Sequence, residues 1–142
     1  MLVDNILRTK GGTVTTLEET QTLADAVAAL NAHNIGALVI LSPSGAIAGI
    51  LSERDIIRRL GTDAGAALAL PIRVCMTRDV VTSTRATQIA EVMELMTRRR
   101  IRHMPIVDNG ALVGLVSIGD VVKAKIEEAE HETEVLKEYI AG

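Results

Sequence analysis

Aromatic residues are almost missing from this chain: Tyr139 is the only one among 142 residues, with neither Phe nor Trp. The core must therefore be built from Val, Ile, Leu, Ala and Met, and a planar ligand would lie between aliphatic side chains and backbone, not on a ring. Cysteine is as scarce. Cys75 alone excludes a disulfide framework and a cysteine metal cluster, which fits a reducing cytosol. In the apolar stretch IRVCM it reads as a small buried hydrophobe, not a nucleophile. His33, His103 and His131 are scattered, so no metal site is expected. No apolar run reaches the roughly 18 to 20 residues of a membrane span, and MLVDNILRTKGG has Asp4 and no long apolar core of a signal peptide. A net charge of −3 argues against wholesale binding to nucleic acid. P-loop, GxGxxG and nucleophile-elbow patterns are missing, so catalysis is not expected. The expectation is a soluble, cytoplasmic, non-enzymatic protein.

What the chain does have is repetition. A shift of 66 positions aligns Val14 with Val80, Thr16 with Thr82, Leu23 with Ile89 and Ile35 with Ile101. One residue drops out near Ser44, after which a shift of 65 aligns Gly45 with Gly110, Gly49 with Gly114, Ser52 with Ser117 and Asp55 with Asp120. The unit is duplicated, and its size of about 60 residues makes two small cores from a chain that is 48% hydrophobic.

Each unit carries the same order of elements. Leu23, Ala26, Val27 and Leu30 fall at i, i+3, i+4 and i+7, as do Ile89, Val92, Met93 and Met96, which predicts one apolar helix face in each. An aliphatic run follows, ALVIL or MPIV, then turn residues SPSG or DNG, then AIAGIL or ALVGLV. DNG between apolar runs predicts a hairpin. Ser52 and Ser117 close the strand and open a last helix. The predicted fold is α+β, two pseudo-twofold-related units of strand, helix, strand, strand and helix, each a small sheet covered by helices. The expected boundaries are 1–62 and 72–127 for the units, 63–71 for a linker, and 128–142 for an acidic helix or tail bearing Glu128, Glu130, Glu132, Glu134 and Glu138.

The duplicated unit, the stretch MPIVDNGALVGLVS and the Ser-x-x-Asp at each final helix start resemble a tandem pair of CBS domains, a Bateman module, of the small stand-alone bacterial kind. The resemblance runs from about Val3 to Ile126. It implies a regulatory module that binds AMP, ADP, ATP, NAD or S-adenosylmethionine in clefts between its units, without catalysis. It also implies a homodimer formed through the helices of the units and an unidentified regulated partner protein, with no nucleic acid and no membrane. Carried over residue by residue, the first cleft takes Ser52, Arg54 and Asp55 with Val81, Thr82, Arg102, His103 and Pro105. The second takes Ser117, Gly119 and Asp120 with Thr15, Thr16, Gly36, Ala37 and Val39.

Each of these residues also has a plainer reading. SERD and SIGD both match a capping box, in which Ser caps the helix and the acid favours its positive end, while a carboxylate there could equally accept hydrogen bonds from ribose hydroxyls. One residue can do both. Arg102 and His103 suit phosphate oxygens, whereas Arg98, Arg99 and Arg100 suit the negative end of the preceding helix. Arg54 serves either a phosphate or a neighbouring acid, and Thr16 and Thr82 either touch a ligand or are simply β-branched strand residues. Gly36 and Ala37 replace the cations of the second unit, which makes the two sites unequal. The rival readings are a ligand-free dimeric scaffold, in which both Ser-x-x-Asp motifs are only caps, and a nucleic-acid binder acting through RRRIR.

Overall fold

Helices form where the apolar spacing puts them, and their ends are chemically marked. The computed structural model describes residues 1–141. In chain order it contains α1 (Val3–Lys10), β1 (Thr16–Glu18), α2 (Leu23–His33), β2 (Ala37–Leu41), β3 (Ile47–Ser52), α3 (Glu53–Thr62), a 3-10 turn (Ala67–Ala69), α4 (Ile72–Cys75), α5 (Ile89–Arg99), β4 (His103–Asp108), β5 (Ala111–Ser117) and α6 (Ile118–Ala141). Leu23, Ala26 and Leu30 of α2 and Ile89, Val92 and Met96 of α5 are buried, so the spacing reads correctly in both repeats. Both helices end on a left-handed residue, Asn34 and Arg100, at matching places in the repeat. The acidic C-terminal stretch continues α6 as one helix of 24 residues.

The compact units are not the sequence repeats. One unit consists of Val14–Val80, and the other of Met1–Thr13 together with Val81–Gly142. Each repeat thus sends its leading segment to the other repeat's sheet, and two glycines show why. In β3, a Cβ on Gly49 would lie 2.7 Å from both Met76 Sδ and the Thr77 carbonyl, and in β5 a Cβ on Gly114 would lie 2.5 Å from Leu7 Cδ2. A sheet that lacks a side chain at that point accepts the apolar residue of an incoming helix against its backbone. Within the expected linker 63–71, Ala67 is fully buried in the core that also contains Leu23, Leu38, Leu51 and Ile72. Cys75 is half-buried at the edge of the same core.

In the Val14–Val80 unit the sheet has the order β1-β2-β3, with β1 parallel and β3 antiparallel to β2. Ala37, Leu38, Val39 and Ile40 are buried in succession without alternation, as expected of a central strand covered on both faces. Among the described residues the other unit has two strands, β4 and β5, packed with α1, α5 and α6 around Val3, Leu7, Ile89, Met96, Met104 and Ile106. Its hairpin turns on Asn109 and Gly110, both at positive φ, as DNG predicts.

The first strand expected around Val80–Thr82 does not form. It shrinks to a single parallel bridge between Ser83 and Ile106. Pro105 removes one end of the ladder. In the first repeat the equivalent Val39 donates its N–H to the Thr15 carbonyl at 3.4 Å and so extends the ladder; Pro105 has no N–H to offer Val81. Ser83 still donates to the Pro105 carbonyl at 3.2 Å, and Val107 donates to the Ser83 carbonyl at 2.8 Å.

Gly49→Ala is expected to destabilise the protein by about 1–3 kcal/mol through overpacking, and by more than Gly114→Ala. The atoms facing Gly49 include the Thr77 carbonyl, which Ile50 holds at 2.9 Å, whereas Gly114 faces the flexible end of Leu7. Urea unfolding of the two variants checks the order.

Candidate functional site

Each Ser-x-x-Asp motif sits where a strand hands the chain to a helix. Ser52 ends β3 opposite Ala37, and Ser117 ends β5 opposite His103. The turn is fixed on both sides. Glu53 donates its N–H to the Gly36 carbonyl at 3.0 Å, and Ile118 donates to the Arg102 carbonyl at 2.8 Å. The residues before the paired strand are therefore held beside the motif of their own unit.

The capping geometry is complete in both. Ser52 N–H donates to Asp55 Oδ2 at 2.9 Å and Asp55 N–H donates to Ser52 Oγ at 3.4 Å. Ser117 N–H donates to Asp120 Oδ2 at 2.9 Å and Asp120 N–H to Ser117 Oγ at 3.2 Å. Both aspartates are half-buried, at helix N-termini where the peptide dipoles favour negative charge.

Beyond the caps the two carboxylates differ. Asp55 takes two neutral hydroxyls: Ser52 Oγ donates to Oδ2 at 3.2 Å and Thr77 Oγ1 donates to Oδ1 at 3.3 Å. Asp120 takes a cation, the Lys10 ammonium at the end of α1, 2.7 Å from Oδ2; Lys10 also donates to the Leu115 carbonyl at 2.8 Å. Partial burial raises the pKa of Asp120, but hydrogen bonds from Lys10 and from the Ser117 backbone, the Lys10 charge and the Ser117 hydroxyl together hold it below the usual carboxylate value. Lys10 was not among the residues expected from the sequence. It lies 110 positions from Asp120, and nothing in TKGG announces the pairing.

Of the residues expected for the first cleft, Ser52, Arg54 and Asp55 belong to the Val14–Val80 unit, and Val81, Thr82, Arg102, His103 and Pro105 to the other. Arg54 and Arg102 are exposed, His103 is half-buried at the start of β4, and Pro105 is buried in it. Val81 packs on its unit's core and Thr82 is exposed. For the second cleft, Ser117, Gly119 and Asp120 lie in the unit of β4 and β5. Thr15, Thr16, Gly36, Ala37 and Val39 lie in the other, where Thr16 faces Val39 across β1 and β2 and Ala37 is buried. Arg98 pairs with Glu94 at 3.9 Å on α5.

A repeated strand-turn-helix in which a capped aspartate stands beside the end of a paired strand matches a known family model over residues 5–62 and 72–127, that of the CBS domain. The chain belongs to the CBS-domain family. Among its relatives is the mitochondrial CBS domain-containing protein CBSX3 of Arabidopsis thaliana, 38% identical over 125 residues that make up 85% of this chain. The chain spans 61% of that protein's length. Among solved structures, the CBS-domain protein ATU1752 from Agrobacterium tumefaciens is 38% identical with a TM-score of 0.84, covering 87% of this chain and 92% of that one. The CBS pair of MJ0100, solved in complex with 5′-methylthioadenosine and S-adenosyl-L-methionine, is 27% identical with a TM-score of 0.76, covering 87% and 98%. No helix among the described residues is long and apolar enough to cross a membrane.

The Asp120 pKa is depressed in the folded state, so its contribution to stability is present above the unfolded carboxylate value and lost as pH falls through the lowered folded one. Lys10→Met, which removes the main partner of Asp120, is expected to flatten this acid limb. Urea midpoints of both proteins between about pH 5 and about pH 2 would read it.

Proposed function

We propose that this chain is a regulatory CBS pair that binds an adenosine-containing ligand, AMP, ADP, ATP, NAD or S-adenosylmethionine, through its Ser-x-x-Asp motifs. The observation that carries the reading is the pair of half-buried, backbone-anchored carboxylates at equivalent strand ends. In each, one oxygen is fixed by the cap and the carboxylate is held rigid, which suits recognition of a ribose diol. A relative of the same fold, MJ0100, carries two adenosine compounds in its CBS pair.

In this reading Asp55 or Asp120 accepts from ribose hydroxyls, with Ser52 or Ser117 orienting it. Thr16 and Thr82 offer further hydroxyls, Ala37, Val81 and Pro105 supply aliphatic walls for the base, and Gly119 keeps the backbone open where the first repeat has Arg54. Arg54, Arg102 and His103 provide donors for phosphate. A ligand that binds one arrangement of the module more tightly shifts the population toward it, and the output passes to a regulated partner protein or to a homodimer formed through the helices. The single cysteine fits a reducing compartment such as the cytoplasm. No catalytic role is assigned.

A second reading has its own support. Both caps are complete using only the chain's own groups, which is what a ligand-free scaffold needs. Calorimetric titration of AMP, ADP, ATP, NAD and S-adenosylmethionine separates the two. The sensor reading expects saturable heat with at least one compound, weakened by roughly tenfold or more in Asp55→Ala. No heat with any of the five, from protein that melts cooperatively, leaves the motifs as caps and favours the scaffold.

A further inference from the structure

The two motifs share a cap but differ in what holds the rest of the carboxylate, and the difference has the character of a lock. An oxygen of an ionised carboxylate offers about two acceptor sites. On Asp120, Oδ2 already takes the Ser117 N–H at 2.9 Å and the Lys10 ammonium at 2.7 Å. A ribose diol that donates one hydroxyl to each carboxylate oxygen finds Oδ2 filled, and displacing the ammonium there separates an ion pair, a cost that exchanging one hydroxyl for another does not carry.

Lys10 is not a loose surface cation. It ends α1, whose Leu7 is buried against Gly114, and its ammonium is tied a second time to the Leu115 carbonyl at 2.8 Å. That second bond holds the ammonium beside Asp120. The Lys10 side chain is 41% exposed and Asp120 24% exposed, so the aspartate is the more sheltered partner of the pair. Asp55 has no such partner among the contacts seen. Its additional donors, Ser52 Oγ at 3.2 Å and Thr77 Oγ1 at 3.3 Å, are neutral hydroxyls that rotate away without separating charge, and a ligand hydroxyl replaces them like for like.

We propose that Lys10 is a built-in selector: its ion pair closes the Asp120 carboxylate to a ribose diol, so that the chain takes a nucleoside ligand at Asp55 and leaves Asp120 shut while α1 is docked. The inference rests on the adenosine-ligand reading above and deepens it by making the two motifs functionally unequal through one lysine.

The experiment is a calorimetric titration with AMP and with S-adenosylmethionine as probes, on the full chain. The wild type is expected to take about one equivalent per chain, Asp55→Asn none, and Lys10→Met about two. The decisive protein is the double variant Asp55→Asn with Lys10→Met, in which about one equivalent returns, at Asp120. Lys10→Arg, which keeps the cation, should behave as the wild type. Two equivalents in the wild type, or a folded double variant that stays silent, overturn the inference but leave the adenosine-ligand reading standing. If the double variant does not fold, the single Lys10→Met decides, and an unchanged stoichiometry there overturns the inference. Silence of both the wild type and Lys10→Met with both probes overturns the inference, and the reading beneath it falls with it only when ADP, ATP and NAD are silent too.

Discussion

The hydrogen bond from a serine N–H to the aspartate oxygen three residues on, 2.9 Å in both repeats, is the contact on which the candidate sites depend. It satisfies a backbone donor that a helix start would otherwise leave unpaired. It also fixes the direction of the carboxylate. A free aspartate at a helix terminus samples several rotamers, whereas here one oxygen is anchored to backbone and the group is pinned beside the end of the neighbouring strand. That strand end is itself locked by the Glu53 and Ile118 amides bonding back to Gly36 and Arg102. Cap and binding group are therefore one object. The same geometry that makes the helix start stable makes the acid presentable to a ligand.

Behind the caps stand the glycines of the second hairpin strands. By omitting a side chain, Gly49 and Gly114 let Met76 and Leu7 reach the backbone of a sheet from the other repeat. With aromatic side chains absent from the cores, filling depends on close approach of flexible aliphatics. The exchange of leading segments is a consequence for chain topology, because a 60-residue unit of this composition gains apolar contacts by borrowing a helix. It also brings α1, and with it Lys10, to Asp120.

Duplication gives two similar units, and small substitutions have made them unequal. Pro105 in place of Val39 removes one ladder hydrogen bond, and a strand of the first repeat becomes a bridge at Ser83 in the second. The leading segments differ as well, so that Asp120 meets an ammonium where Asp55 meets the Thr77 hydroxyl. A cation and a hydroxyl at 2.7 and 3.3 Å leave the two carboxylates in different electrostatic states, although their caps are alike. The chain thus has the means to treat two otherwise equivalent motifs differently.

The sequence by itself determined the periodic and the local features. The apolar faces of α2 and α5, the Asn109–Gly110 turn and the two Ser-x-x-Asp caps all follow from residues a few positions apart, where helix repeat, strand alternation and capping chemistry act within one or two turns. Duplication exposed the α+β plan because the two halves could be read against each other. Only the tertiary structure decided which leading helix packs on which sheet, that the 63–71 segment is packed through Ala67, and that Lys10 closes on Asp120. Those outcomes rest on contacts between residues distant in the chain, such as Leu7 with Gly114 and Lys10 with Asp120. Such contacts are set by shape and charge after folding, and no local pattern encodes them.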